Sequence, residues 1–502
     1  MRRAGLLAVL AVVLGYASLA QGRGENQSAH FALVRALTHG TAKVDPYRKE
    51  SKDLSWYRGH YYSTKAPGLA FLTVGPYYVL DRSGILGLAA RATGATKDSV
   101  ALWVLGLIGA VLPTGLLLLL LRRVGDEVEP GFGTATALTA GLCTLLFPFA
   151  TLFFDHALSA ALGFAAFALL WRADGRLRLV AASGLLAGLA VTSEYPLALA
   201  AAGVGLYAIA KGDRMRRAAC YAAGVALGVL PLLLYDWSAF GSPLHLSYAD
   251  AIVRTGITGH DVLGANAKGL FGVGAPHQGV AMHLLFGYTG LVTITPIVVA
   301  GAVGLVLLWS KGLRLEAALA AALSLAYIVY NSGYVLPFGG GTPGPRFLIP
   351  MLPFVALGFA PAYRAFPWAT LALALPSGLL MLGVTATNPI RATTWNWVDR
   401  VADGSFAGAG VGPKLPLAAF VLAGVILCVA VTPIKRPSVR QAIGALLVFG
   451  SYVGVAVAGP RLVGTNPRLL LVIVAACLVA VAAWHRGLRP RARRPEPTRG
   501  PT

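Results

Sequence analysis

The chain has 502 residues, 56% of them hydrophobic and only 12% charged, with a mean hydropathy of +0.68 and a formal net charge of +22. Such a composition excludes an ordinary water-soluble domain and describes an all-α, polytopic membrane protein. Its Lys and Arg residues sit mostly in short gaps between apolar runs and in the tail, a positive-inside distribution rather than a groove for nucleic acid.

Apolar runs close to the ~20 residues needed to span a bilayer predict helices over 4–21, 98–121, 131–153, 156–171, 178–193, 195–210, 217–235, 287–309, 315–331, 346–363, 366–385, 415–431, 439–458 and 467–484, about fourteen spans. The start, MRR and an apolar run to Ala20, has the outline of a secretory signal. It is kept as the first helix because the remaining topology works with it retained. The basic gaps hold Arg122 and Arg123; Arg172, Arg176 and Arg178; Lys211, Arg214, Arg216 and Arg217; Lys311 and Arg314; Arg364; and Lys435, Arg436 and Arg440. All of them face the cytoplasm if the N-terminus is inside and the apolar piece 67–81 does not cross. That piece is therefore expected to be an interfacial or re-entrant helix, begun at Pro67-Gly68 and broken near Gly75-Pro76.

This topology divides the chain into a module over 1–210 with a first outer loop at 23–97, a second set of helices over 211–485 with outer loops at 236–286 and 387–414, and a disordered basic cytoplasmic tail at 486–502. Cys143, Cys220, Cys428 and Cys477 all fall in apolar spans without metal-ligand spacing and fit core packing.

Chemistry-bearing residues collect on the outer face. In GENQSAHFALVRALTHG an amphipathic surface helix follows Glu25 and Asn26. A partly desolvated carboxylate there suits a general base, and it equally suits a helix N-terminus favoured by the dipole. In GHYYSTKAPG, Lys65 lies where a lipid phosphate would sit, with Tyr62 three residues earlier and His60 nearby. The same residues also fit an interfacial anchoring belt. Asp155-His156 and Glu194 interrupt apolar stretches at the outer side, either as polar turns or as site residues, and they share that face with Glu25 and Lys65. Arg346, after the loop GGGTPGP, can grip a phosphate through its planar fork or simply snorkel. No P-loop, zinc spacing or GxSxG motif occurs, and Asp250 and Asp261 do not form a metal pair.

Taken in order, a first span, an acid before an amphipathic helix, Tyr62-x-x-Lys65-x-Pro67 opening an interfacial helix, and an acid after the third span resemble the GT-C superfamily. These are integral membrane glycosyltransferases, which include protein mannosyltransferases and the aminoarabinose transferase of lipid A. The resemblance covers residues 1 to about 210, with Gly344-Pro345-Arg346 similar to a later loop of some bacterial members. It implies a catalytic module over 1–210 at the cell membrane, a polyprenyl-phosphate sugar donor, and a lipid, glycan or protein acceptor on the extracytoplasmic face. It also implies catalytic acids at Glu25 and Asp155, and donor-phosphate groups at Tyr62 and Lys65. Where many members carry an acidic pair, this chain has Glu25-Asn26, so a metal-independent enzyme without a cofactor is expected. Two other readings share part of the pattern. A lipid or glycan transporter would place charges in mid-span and show inverted repeats, and a glycan ligase or polymerase would carry its large outer loop later in the chain.

Overall fold

The computed structural model describes residues 2–252, 272–390, 394–406 and 416–486. Most of them are helical. Six helices are long and apolar enough to cross a membrane: Lys97–Val128, Arg214–Phe240, Arg314–Ser332, Arg346–Ala365, Pro367–Thr387 and Val439–Thr465. Gln278–Ile294 and Ile297–Ser310 make a seventh if taken together, although they bend by 90° at Thr295-Pro296. Six more apolar helices, among them Asp155–Trp171, Leu177–Ser193 and Leu197–Ala210, have 17 residues or fewer. Length and composition alone pick out six or seven spans among the described residues, and the expected count of fourteen is not confirmed. The expected span 131–153 ends as Gly133–Leu142 and restarts as the short Leu146–Ala150, after a break at Cys143 to Leu145.

The fold is helical almost throughout, as expected, and carries one short antiparallel hairpin, Leu54–Tyr57 with His60–Ser63, in which Leu54 lies opposite Ser63 and Tyr57 opposite His60. Its two-residue turn, Arg58-Gly59, has φ of 46° and 84°, the left-handed conformation that matches the twist of a tight hairpin. Glycine supplies the second position without strain. The apolar piece after Pro67, expected to break near Gly75-Pro76, is one continuous helix, Gly68–Arg82, with Pro76 inside it rather than ending it. The chain breaks instead at Gly84 and Gly94, both left-handed, on either side of the short helix Ile85–Thr93.

The hairpin and the Gly68–Arg82 helix matter because they fix the segment between them, residues 64 to 67. The helix start is pressed against the end of the Leu177–Ser193 helix, where a Cβ on Gly68 would lie 2.6 Å from Ser193 Cα and 2.7 Å from its nitrogen. Backbone cannot yield as a flexible side chain can, so Gly68→Ala should overpack this contact by roughly 1–3 kcal/mol. A lower melting temperature of the purified variant, together with weaker function, is the expected readout. On its other side, the Leu177–Ser193 helix meets Arg214–Phe240 through small residues, Gly188 facing Gly228, which lets the backbones approach closely. The main core runs through both halves of the chain, from Val12 and Tyr16 through Phe147, Phe164 and Phe167 to Phe354 and Met381.

Candidate active site

The helix Glu25–Leu37, buried on nearly all sides rather than lying on a surface, the segment after the hairpin, the N-terminus of Asp155–Trp171, the end of Leu177–Ser193, the turn at residues 246–248 and the start of Arg346–Met351 converge on one cavity of about 270 Å³. Asn26, Lys65, Asp155, His156, Glu194 and Arg346 all line it, and each is buried. Six of the nine residues singled out from the sequence are thus brought together from positions up to 320 apart (346 − 26).

Three are not. Glu25 is exposed, its Oε2 accepting the Lys52 N–H at 2.6 Å, and it does not line the cavity. The reason is helical phase: Asn26, one residue on, is the position that turns inward. His60 stands at the hairpin turn, with Nδ1 2.9 Å from Asp45 Oδ2 and Nε2 3.1 Å from Lys43 Nζ. Tyr62 is buried against Phe240, ring centroids 4.9 Å apart, within the strand His60–Ser63, whereas Lys65 follows in the bend after that strand and lines the cavity. Of the two loop acids, Asp250 pairs with His245 at 2.5 Å. Asp261 and the tail 487–502 lie outside the described residues.

Lys65 is held by a residue that pattern reading passed over. Its Nζ lies 3.0 Å from Asp53 Oδ2. The hairpin register explains the pairing, since Leu54 opposite Ser63 places Asp53 beside Thr64, whose N–H and hydroxyl both donate to the Asp53 carbonyl. Burial raises the Asp53 carboxyl, but the Lys65 ammonium, and then Arg346, outweigh it and hold the group below the ordinary carboxylate range. A carboxyl depressed in this way stabilises the fold above its unfolded value of about 3.9, and the contribution is lost as pH falls through the lower folded value. Asp53→Asn should therefore lower the melting temperature at pH 7 and move toward the parent as pH falls below about 4. A constant gap across that range would mean the pair adds nothing through its charge.

Asp155 opens its helix, where the macrodipole favours an anion. His30 Nε2, fully buried, is 3.5 Å from Asp155 Oδ2, and Asp155 Oδ1 has no hydrogen-bond partner among the described residues. His156 Nδ1 lies 2.8 Å from Glu194 Oε1, while Ser159 Oγ donates to Glu194 Oε2 at 2.6 Å. The His156 ring is walled by Phe149 and Phe347. One donor atom each from Asp155, His156 and Glu194 lie within 4.8 Å of one another, so this trio could also hold a metal ion. Its charge is already shared, however: His156 is bonded to Glu194, and Lys65 and Arg346 supply two cations to the same cavity.

Arg346 stacks its guanidinium over Phe154 and Phe347, 5.5 and 5.1 Å from the ring centroids. It has no carboxylate partner among the described residues, and its buried Nε has no hydrogen-bond acceptor. A buried cation without a counter-ion is costly unless an anion completes it. Tyr248 and Tyr334 add phenols whose burial pushes them up, so they stay protonated donors at neutral pH. The turn carrying Tyr248 is tied down through Ser247, which donates to the Thr64 carbonyl at 3.0 Å and accepts at its own carbonyl from Ser55 Oγ at 2.5 Å.

Next to this polar cavity runs an apolar groove of about 720 Å³, built from the same elements one turn further on: Gly68 and Phe71, Leu158 and Leu162, Leu189 and Ser193. The groove is open, and its lining is almost entirely hydrocarbon. The two spaces share no lining residue, but neighbouring residues of the same elements serve both, with Lys65 and Asp155 on the polar side and Gly68 and Leu158 on the apolar side.

No protein-family model and no curated protein sequence matches the chain. Among solved structures, ArnT from Cupriavidus metallidurans bound to undecaprenyl phosphate superposes with a TM-score of 0.45 at 14% identity, over 96% of this chain and 78% of that one. Its apo state gives 0.44 at 14% identity, over 96% and 75%. The apo oligosaccharyltransferase of Archaeoglobus fulgidus gives 0.42 at 12% identity, over 89% of this chain and 59% of that one. At this level of similarity only the chain's own residues can say what it does.

Proposed function

We propose that the chain is a membrane glycosyltransferase that moves a sugar from a polyprenyl-phosphate-linked donor to an acceptor hydroxyl at the extracytoplasmic face. One observation carries the reading: a small buried cavity that gathers Lys65 and Arg346, the latter without a carboxylate at ion-pair distance among the described residues, with the carboxylates Asp155 and Glu194, and that has an apolar groove beside it on the same elements.

The donor phosphate sits between Lys65 and Arg346, its prenyl chain lies in the groove along the Gly68–Arg82 helix, and its sugar faces Asp155 and the phenols of Tyr248 and Tyr334. Asp155 takes the proton of the acceptor hydroxyl as that oxygen bonds to the anomeric carbon. The bond from that carbon to the phosphate oxygen breaks, and the electron pair leaves on the lipid phosphate. Lys65 and Arg346 stabilise the growing charge there, where a dry site makes fixed cations most effective. His30, its Nε2 3.5 Å from Asp155 Oδ2, orients that carboxylate, and the His156–Glu194–Ser159 unit positions the acceptor. Positive charge from two side chains is sufficient for leaving-group stabilisation, so the reaction is expected to proceed without a metal or other cofactor. The basic gaps from Arg122 to Arg440 support a cytoplasmic placement for the opposite ends of the helices.

The reading is tested with purified protein in liposomes, a panel of radiolabelled polyprenyl-phosphate sugars, and crude lipid, glycan and protein acceptors. Transfer from one donor that persists in a chelator is the expected result. Failure of every donor together with uptake of label into the lumen would replace the enzyme by a transporter.

A further inference from the structure

We propose a second lipid site, at the opposite end of the molecule from the polar cavity: a seat for an anionic bilayer phospholipid, its acyl chain in a deep apolar cleft and its phosphate against a cationic mouth. The cleft, of about 990 Å³, lies between the helices Ile297–Ser310, Pro367–Thr387, Val439–Thr465 and Pro467–Arg486. Val303, Leu373, Val448, Val455 and Leu478 make its walls. From Ser438 at the mouth to Val455 at depth is 17 residues of one helix, roughly 25 Å, most of a hydrocarbon core of about 30 Å. That depth suits an acyl chain.

The mouth is different in chemistry. Its polar lining is Ser438 and Gln441, which cap the start of the Val439–Thr465 helix. Lys435, Arg436 and Arg440 flank them in the chain and Arg364 precedes the lining residues Ala365 and Phe366; all four are exposed and none has an ion-pair partner among the described residues. The segments 360–370, 432–442 and 474–486 contain no Asp or Glu, and Asp126 and Glu129, the acids nearest to Pro433, are engaged, with the Gly131 and Gly133 N–H groups and with Lys311. Trp368 and Trp484 donate their indole N–H groups to the carbonyls of Lys435 and Arg440, at 3.2 and 3.3 Å, which sets two amphipathic rings at the same level. Tryptophans and basic residues at one level mark a membrane–water interface, and a basic pocket between spanning helices there selects phosphate headgroups. Charge complementarity therefore favours an anionic lipid over a zwitterionic one. A hydrophobic protein partner would match the cleft but not four unpaired cations.

The test uses the full chain, purified in detergent and titrated with phosphatidylglycerol or phosphatidylcholine, read by native mass spectrometry and by melting temperature. Phosphatidylglycerol should stay bound and raise the melting temperature, and phosphatidylcholine should bind at least tenfold more weakly. The combined exchange Lys435→Glu, Arg436→Glu and Arg440→Glu, all on exposed positions, should remove that preference. Ser451→Trp, which fills the cleft, should weaken both lipids. Equal binding of the two lipids, or a preference that survives the charge reversal, would overturn the proposal. So would retention of both lipids by the filled cleft, or no lipid retained by the parent.

Discussion

Asp155→Asn is expected to lower the rate of sugar transfer by about 10²- to 10⁴-fold, the usual contribution of a positioned general base. The amide keeps the volume of the carboxyl and leaves the 3.5 Å approach of His30 possible, but it cannot accept the acceptor's proton. Donor binding should change little, because the phosphate is held elsewhere. Single-turnover rates with saturating donor separate the two effects. An unchanged rate would mean that the proton leaves by another route, with Glu194 the nearest alternative in the same cavity.

Arg346→Ala should be nearly as damaging, by about 10²- to 10³-fold, the scale seen when one charge-stabilising donor is removed from a dry site. Arg346 is buried on two aromatic faces and has no carboxylate at ion-pair distance among the described residues, so its charge is available to a ligand. Lys65 is shared with Asp53, which makes it the weaker of the two phosphate groups in the resting protein. Lys65→Ala should therefore cost less than Arg346→Ala. The double variant should fall short of the product of the single effects, since both act on one phosphate. A larger loss from Lys65→Ala, with Arg346→Ala close to the parent, would assign Arg346 to packing alone.

Much of this architecture was legible because a bilayer imposes simple rules. Apolar runs located nearly every long helix, and interruptions by Asp155-His156, Glu194 and Arg346 pointed to one face. The structure collects these residues, with Asn26 and Lys65, around a single cavity. What sequence reading missed depends on phase and on distance along the chain. Glu25 and Asn26 are neighbours, and only the helix phase decides that Asn26 faces inward. His60 and Tyr62 look like partners of Lys65, but they belong to the strand His60–Ser63, while Lys65 follows in the bend after it. The alternating LSWY and HYYS around Arg-Gly were the available hairpin signal, and that register would have placed Asp53 near Lys65. Tyr248 and Tyr334 carried no local signal, because they reach the cavity from loops far along the chain. The break at Cys143 to Leu145 was equally silent, since that stretch is apolar throughout and hydropathy cannot see a turn buried in protein.

The most direct measurement is single-turnover transfer of labelled sugar from the reactive polyprenyl-phosphate donor in liposomes, comparing the parent with Asp155→Asn and Glu25→Gln. Loss of transfer in Asp155→Asn, with Glu25→Gln close to the parent and all three proteins melting alike, is the predicted result. Transfer that survives in Asp155→Asn and fails in Glu25→Gln would place the reaction outside the cavity and contradict the account.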